Sequence, residues 1–533
     1  GTDSKYDVGH VFAKYVSGPS GVAGGTGCTQ TKGRGCSAGD IPYNDFFFTV
    51  VGQEIGHMWN GGHTFNQCSI TDQFSYGSAC EPGSGSTIMS YNGACGSNNI
   101  SGENALYYHI CSIAEIRNFI ENEQGSTCGT NLVTTNNDPV VTTPYPDNLF
   151  IPISTPFTLT GSAVDPDGDL NLTYSWDEID LGPTTTLGNP MGDSPLFRWF
   201  TPTSNPSRTF PRIQNVISNS NSIEEVLPTY NRNVTMVLVV RDNKPGGGGI
   251  GYDTVSMQST TSAGPFLVSY PTLASTIWKV GENQTVTWNV ANTDNTVVNC
   301  KRVNIRLSTD GGLNYPITLV EGVPNVGKAC IQVPNNVSTS VRLRVEAADN
   351  VFFDISNANF KIQQPSIAGF SLCAASLKDI VCLPNQFSTE ITTNAVAGFS
   401  GLVTLSATGL PADATAVFSP NPVPAGGIST LFITLPANSP ETTFDVTVTG
   451  TSGAGTSTSV ITLTSVSNDF SGVAPTAPAN GASGVNTQPL LQWSTSVDAD
   501  SYDVELASSP SFAPNTIVAF RYSTTGNTFQ ITT

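Results

Sequence analysis

Charged side chains are scarce in this chain. They make up 12% of its 533 residues, against roughly a quarter in ordinary globular proteins. Positive charge is scarcer still, with 21 Lys and Arg against 41 Asp and Glu, for a formal net charge of −20. That balance, with no run of basic residues, excludes nucleic acid as a partner, because phosphate binding needs grouped Lys and Arg. No apolar stretch approaches the roughly 18 residues needed to cross a bilayer, so no transmembrane segment is expected. The sequence opens at Gly1 without a charged-then-apolar leader. A secretion signal, or a means of attachment to a cell surface, is therefore expected only in parts outside this sequence. Histidine is also rare: there are four, and all of them, His10, His57, His63 and His109, fall in the first 109 residues. Beyond about residue 135 the 3.6-residue apolar periodicity of helices is missing, which excludes a helical architecture there.

What the chain has in quantity is Ser, Thr, Asn and Gly. At this length one hydrophobic core does not suffice, and roughly three to five domains are expected. The composition favours β-rich extracellular modules, and the acidic surface allows calcium. The eleven cysteines are unevenly placed. Cys28, Cys36, Cys68, Cys80, Cys95, Cys111 and Cys128 lie in the first quarter, and Cys300, Cys330, Cys373 and Cys382 follow far downstream. Pairs within modules predict disulfides and an oxidising compartment, with Cys300 joined to Cys330 and Cys373 to Cys382. Seven cysteines cannot all pair with one another, so the first domain is expected to leave one thiol over, its partner lying upstream of this sequence.

Metal-binding side chains fall at chemically meaningful spacing in one stretch, Val51-Gly52-Gln53-Glu54-Ile55-Gly56-His57-Met58-Trp59-Asn60-Gly61-Gly62-His63. On a helix, Gln53 and Glu54 share one face with His57. The glycine-rich break after Trp59 then lets His63 return to the same point. The stretch resembles the metzincin zinc signature His-Glu-x-x-His-x-x-Gly-x-x-His, with two departures. Asn60 stands at the glycine position, where the helix end needs a left-handed backbone that asparagine tolerates. Gln53 stands at the first histidine, and its amide oxygen is a far weaker zinc donor than imidazole. Downstream, Ser86-Thr87-Ile88-Met89-Ser90-Tyr91 resembles the Met-turn, and Tyr91 holds the place of a tyrosine that touches zinc in astacins and serralysins. Upstream, Tyr6–Phe12 alternates like the sheet-edge strand of reprolysin-like enzymes.

The resemblance, to secreted bacterial reprolysin-like metzincins, implies Zn²⁺ held by His57 and His63. Gln53 would be a weak or absent third ligand and Tyr91 a further one, Met89 would form the floor, and Glu54 would be the general base. His10 and His109 lack the ligand spacing and are expected to be packing residues. The zinc helix is expected to begin at Asn44 or Asp45, and a closing helix to run from about Glu103 to Glu123.

The predicted fold class is multidomain: an α+β metzincin-like catalytic fragment followed by all-β Ig-like sandwiches. The expected divisions are 1–133, peptidase with its N-terminal part missing; 134–262, resembling PKD or cadherin-like modules, with a long insertion near 181–232; 263–364 and 365–468, Ig-like; and 469–533, the first half of a fibronectin type III module around Trp493 and Tyr502. Thr134–Asp147 reads as a linker, and Val341, Leu343 and Val345 alternate with Arg342, Arg344 and Glu346 as a half-buried strand should. The turn Asp165-Pro166-Asp167-Gly168-Asp169 spaces three carboxylates by two, so that Asp165, Asp167 and Asp169 offer Ca²⁺ oxygen ligands, though a solvated Asp-Gly turn gives the same pattern.

The leading function is thus a secreted or cell-surface zinc endopeptidase acting on a protein or peptide substrate. The alternative is a catalytically inactive relic serving as an extracellular binding or adhesion protein, which Gln53 favours. The β modules alone would also suit a structural stalk.

Overall fold

The computed structural model describes residues 6–14, 21–39, 45–69, 71, 74–102, 105–129, 134–168, 171–467, 470, 472–496, 499, 501–513 and 516–532. It divides into two compact units. One comprises Gly1–Trp278, Val286–Lys328 and Pro334–Gln363, and the other Lys279–Thr285, Ala329–Val333 and Gln364–Thr533.

In the first unit, β1 (His10–Lys14), β2 (Gly21–Ala23) and β3 (Gly35–Gly39) form a sheet in the order β1-β3-β2, with β1 parallel and β2 antiparallel to the central strand. The expected Tyr6–Phe12 strand is shifted to His10–Lys14, because Gly9 bonds to Lys32 across a turn instead of entering the ladder. Helix α1 (Asp45–Met58) packs on this sheet through Phe47, Val50 and Met58. Asn44, one of its two expected caps, lies outside the described residues. Helix α2 (Ile110–Asn122) begins seven residues later than the closing helix expected from Glu103, because His109 Nδ1 accepts the Cys111 N–H and caps it there.

Beyond the helices the first unit is built of sheets. Strands β4 (Leu149–Pro152), β6 (Thr173–Glu178), β8 (Arg232–Arg241) and β9 (Ile250–Thr260) pair in the order β4-β9-β8-β6, and β5 (Phe157–Thr160) pairs with β7 (Ser207–Phe210). Val234, Met236, Leu238 and Val240 of β8 are fully buried, and so are Val237 and Val239 on its other face, as befits a central strand covered on both sides. The expected linker is docked: Val140–Thr142 forms a strand with Ser162–Val164, and Asn136 donates to Asp242. The insertion after β6 packs back on the peptidase segment. Asn66 Nδ2 donates to Pro183 O at 3.2 Å, Leu187 N donates to Asn98 Oδ1 at 3.0 Å, and Arg198 pairs with Glu224, whose carboxylate also accepts from Ser101. A short helix, α3 (Ile213–Ser218), follows β7.

Strands β10 (Arg302–Ser308) and β11 (Ser338–Ala347) pair antiparallel at the centre of a further sheet. Val341, Leu343 and Val345 point into its core. Their polar neighbour Arg342, expected on a solvated face, is 6% exposed, because its guanidinium donates to Asn359, Ser356 O and Ile217 O. Asp354, in the strand Phe353–Ile355, is 8% exposed and accepts the Val268 N–H. Burial pushes its carboxyl up to about 7, against the pull of the Val268 and Ile355 amides. A carboxyl raised in the folded state contributes stability below its unfolded pKa of about 3.9 and loses it as pH climbs toward 7. Asp354→Asn should therefore gain on wild type by on the order of 4 kcal/mol between pH 4 and 7 and stay level above. Unfolding midpoints of both proteins across that range test this, and a pH-independent gap would contradict it.

The second unit contains a sandwich. One sheet runs Gly369–Ala374, Asn385–Val396, Ile428–Leu435, Thr415–Ser419; the other runs Lys378–Leu383, Gly455–Ser467, Thr443–Ser452, Leu402–Thr408, Val423–Pro424. Leu431, Ile433, Val446, Val448, Ile461 and Leu463 fill the space between them. Near the C-terminus, Trp493 and Tyr502 lie with ring centroids 5.8 Å apart.

Disulfides join Cys28–Cys128, Cys68–Cys95 and Cys80–Cys111, and leave Cys36 free. Downstream the expected pairing is overturned. Cys330 joins Cys373, while Cys300 and Cys382 are free thiols. Cys300 is buried with its thiol turned to Arg302 O, and Cys382 points outward from a strand in the opposite sheet to that of Cys373. No helix among the described residues is long and apolar enough to cross a membrane.

Candidate metal centre

Two glycines in α1 cost about 1 kcal/mol each in helix propensity, and packing explains both. A Cβ on Gly56 would come 2.5 Å from Met89 Sδ, and one on Gly52 would come 3.2 Å from Ile88. The helix thus lies directly on the methionine turn, where Met89 is fully buried. Tyr108 Oη donates to Gly52 O at 2.6 Å and fixes the turn's far side. The helix ends on Asn60, in the left-handed region at φ 67°, and Gly61 N reaches back to Gly56 O at 2.9 Å. That i to i−5 bond turns the chain sharply.

The turn sets the tautomer of His57. Its Nδ1–H donates to Gly61 O at 2.8 Å, which leaves the Nε2 lone pair bare. Nε2 of His57 faces Nε2 of His63 at 3.1 Å. Two nitrogens bound to one tetrahedral Zn²⁺ at about 2.0–2.1 Å would sit roughly 3.3–3.4 Å apart, so the pair fits a single ion. Burial lowers the pKa of His57 and keeps the ring in the neutral, ligating form. His63 is held between Phe65 and Tyr91, at ring-centroid distances of 5.2 and 4.6 Å.

Gln53 is 8% exposed, and its Nε2 is buried without a hydrogen-bond partner. The two ends of a glutamine amide are interchangeable by rotation. Turning the oxygen into that place removes an orphaned donor and provides an acceptor for a cation. Glu54 is 7% exposed, and burial pushes its carboxyl up to about 7 despite the Ala23 amide. Strand β2 passes so close that a Cβ on Gly21 would fall 2.5 Å from Glu54 Oε1. The Tyr91 hydroxyl is raised by burial and by the charge of Glu54, which puts both groups in one electrostatic neighbourhood. His57, His63, Glu54, Met89 and Tyr91 thus converge from α1, the loop beyond it and the methionine turn.

The sequence reading missed Glu81. This carboxylate is 1% exposed. Its Oε2 accepts from Thr64 Oγ1 and Thr87 Oγ1, both at 2.5 Å, and its Oε1 accepts from Ser86 N at 2.8 Å. It ties the residue after His63 to the turn that carries Met89. Glu115 of α2 does similar work, accepting Gly62 N at 2.8 Å. A lone Glu in a Gly- and Ser-rich loop carries no spacing signal.

The other predicted residues lie elsewhere. His10 Nε2 bonds Ser37 Oγ at 2.8 Å, and His109 caps α2. His109 also lies beside Cys80 and Cys111, but the disulfide between those two removes both thiolates. Asp165 Oδ1 accepts Asp167 N, and both oxygens of Asp167 are taken by Asn137. Asp169 is outside the described residues.

Among curated proteins none matches this chain. Solved structures similar to it include the ICAM-5 D1–D4 ectodomain fragment (11% identity, 73% of this chain and 91% of that one, TM-score 0.17). The I67–I69 fragment of titin aligns at 11% identity over 62% of this chain and 99% of that one, with a TM-score of 0.15. Fibronectin(III)-like modules of Clostridium thermocellum CbhA align at 8% identity over 38% and 95%, with a TM-score of 0.14. Scores this low establish no common arrangement, and the sheets described above stand on their own strand pairing. The family comparison is specific: residues 2–117, the segment that holds His57, His63 and Glu54, match the model of metallo-peptidase family M12B, reprolysin-like.

Proposed function

We propose that this chain is a secreted zinc endopeptidase acting on polypeptides. The observation that carries this reading is the pair of Nε2 atoms, one with its tautomer fixed by Gly61, meeting at single-ion distance beside Glu54. His57 and His63 would hold Zn²⁺, with the Gln53 amide oxygen in the third position and Tyr91 as a further donor. When bound, the ion supplies Lewis acidity and brings water to a pKa of about 7. Glu54 takes a proton from the attacking water and returns it to the leaving amine, a role suited to a carboxyl poised near neutrality. Tyr91, across the site, donates toward the oxyanion. β2 has no strand on its outer edge among the described residues, which leaves backbone groups beside Glu54 for an extended peptide to pair with.

Four disulfides support an oxidising, extracellular setting. The divisions near residues 133, 262, 364 and 468 are proposed as module boundaries. The second reading, a relic kept for binding, is favoured by one observation, the amide at position 53. Zinc content of the pure protein and hydrolysis of a quenched peptide distinguish the two. Stoichiometric zinc, with hydrolysis that Glu54→Ala lowers by about 10²–10⁴-fold, supports the peptidase. Protein that takes up no added zinc and cleaves nothing is the binding protein.

We further propose Ca²⁺ at the Asp165, Asp167, Asp169 turn. Ca²⁺ at 100 times its Kd should add about 2.7 kcal/mol. Equal unfolding midpoints of the chain in Ca²⁺ and in EDTA would leave only a solvated turn there.

A further inference from the structure

Away from the metal centre, the first unit contains a cavity of about 650 Å³ between β5, β6 and β7 on one side and β10 and β11 on the other. Its wall holds Arg208, Arg212, Arg306 and Arg344 against one carboxylate, Glu346. Four of the chain's 21 basic residues thus share one site in a protein of net charge −20. Glu346 lies between two of them, 2.5 Å from Arg306 and 2.8 Å from Arg344. Arg208 is buried behind the wall, paired with Glu225 at 2.9 Å. Arg306 also lies 3.4 Å from the exposed Glu321. Arg208, Arg306 and Arg344 thus each have a carboxylate partner, and Arg212 has none among the described residues.

The Arg212 guanidinium donates from Nε to Asn215 Oδ1 at 3.4 Å and stands 6.0 Å from the Phe200 ring centre. Its two terminal nitrogens meet no acceptor among the described residues. Tyr315 Oη, in the same lining, is buried with no hydrogen-bond partner among the described residues.

The rest of the lining indicates the ligand's chemistry. Thr201, Gln214 and Asn314 set hydroxyl and amide groups beside the rings of Tyr174, Trp176 and Phe200, and Ile213 and Leu313 are the aliphatic residues of the lining. The chain's overall negative charge opposes a long polyanion. A short, hydroxyl-rich ligand carrying an anionic group gives the Arg212 fork an acceptor and the orphaned tyrosine hydroxyl a partner, while its ring faces meet the aromatic lining.

From this we infer that the cavity is a binding site for an anionic saccharide, a carboxylate or sulfate group of it meeting Arg212. The assignment is independent of the peptidase reading. It is tested on the full chain by titration calorimetry with a galacturonate tetramer, a sulfated oligosaccharide of the same length and the methyl-esterified, neutral tetramer. Either anionic probe should bind, and which one binds identifies the group. Arg212→Ala should weaken binding about tenfold. Arg212→Lys should retain part of the affinity by keeping the charge without the fork. Unfolding midpoints matching wild type show that the variants are folded. Arg212→Gln serves if Arg212→Ala is not. Binding of the neutral tetramer as tight as that of the acid, unchanged affinity in the folded variants, or no binding of either anionic probe overturns the inference. Poly-glutamate binding as tightly as the saccharides replaces the saccharide with an acidic peptide.

Discussion

Gln53→His should raise zinc affinity and peptide hydrolysis together, if the proposed site binds zinc, and by a larger factor than the other substitutions considered. Gln53 lies one turn before His57 on the same face of α1, already buried, with an orphaned amide nitrogen. An imidazole there exchanges a weak neutral donor for a strong one. Altering a residue behind the ligands typically costs about 10–100-fold, so supplying a missing ligand should exceed that. Zinc titration and hydrolysis of a quenched peptide would be followed in wild type, Gln53→His, Glu54→Ala and the double variant. The double variant should bind zinc as tightly as Gln53→His and cleave nothing, which separates ligation from proton transfer. If wild type already hydrolyses and Glu54→Ala abolishes it, then Gln53, Tyr91 or water suffices as the remaining ligand, and the relic reading falls. If Gln53→His binds zinc tightly yet stays inactive, the frame has decayed elsewhere, and the binding-protein reading takes first place.

Glu81→Ala should be the most destabilising single substitution near the metal centre. It strands three buried donors, the Thr64 and Thr87 hydroxyls and the Ser86 amide. Each unsatisfied group costs about 1–3 kcal/mol. Because Thr64 follows His63 and Thr87 precedes Met89 by two residues, zinc affinity should fall with stability. Glu81→Gln keeps one oxygen and should lie between the two. Denaturant unfolding of the first unit, with zinc titration of each protein, measures both. A loss below about 1 kcal/mol would leave Glu81 as an ordinary buried acid.

Much of the metal centre was legible in the sequence because its information is local. The i, i+3 and i, i+4 spacing of Gln53, Glu54 and His57 fixes a shared face on any helix, and Asn60 marks a left-handed helix end, as its φ bears out. Strand alternation likewise pointed Val341, Leu343 and Val345 inward. Spacing says which face a side chain takes, but it does not say what that face meets. The β2 backbone closing over Glu54, the Glu81 knot, and the partner of Cys330 all depend on segments brought together from a distance. Arg342 shows the difference most plainly. Its alternation was read correctly, yet the face expected to meet water meets Ile217 O and Ser356 O instead. The Arg-lined cavity has the same origin. Its arginines come from residues 208 to 344 and form no run in the chain. Local sequence determines backbone geometry and side-chain direction, while desolvation and pairing are properties of the space around a group, which only the tertiary fold creates.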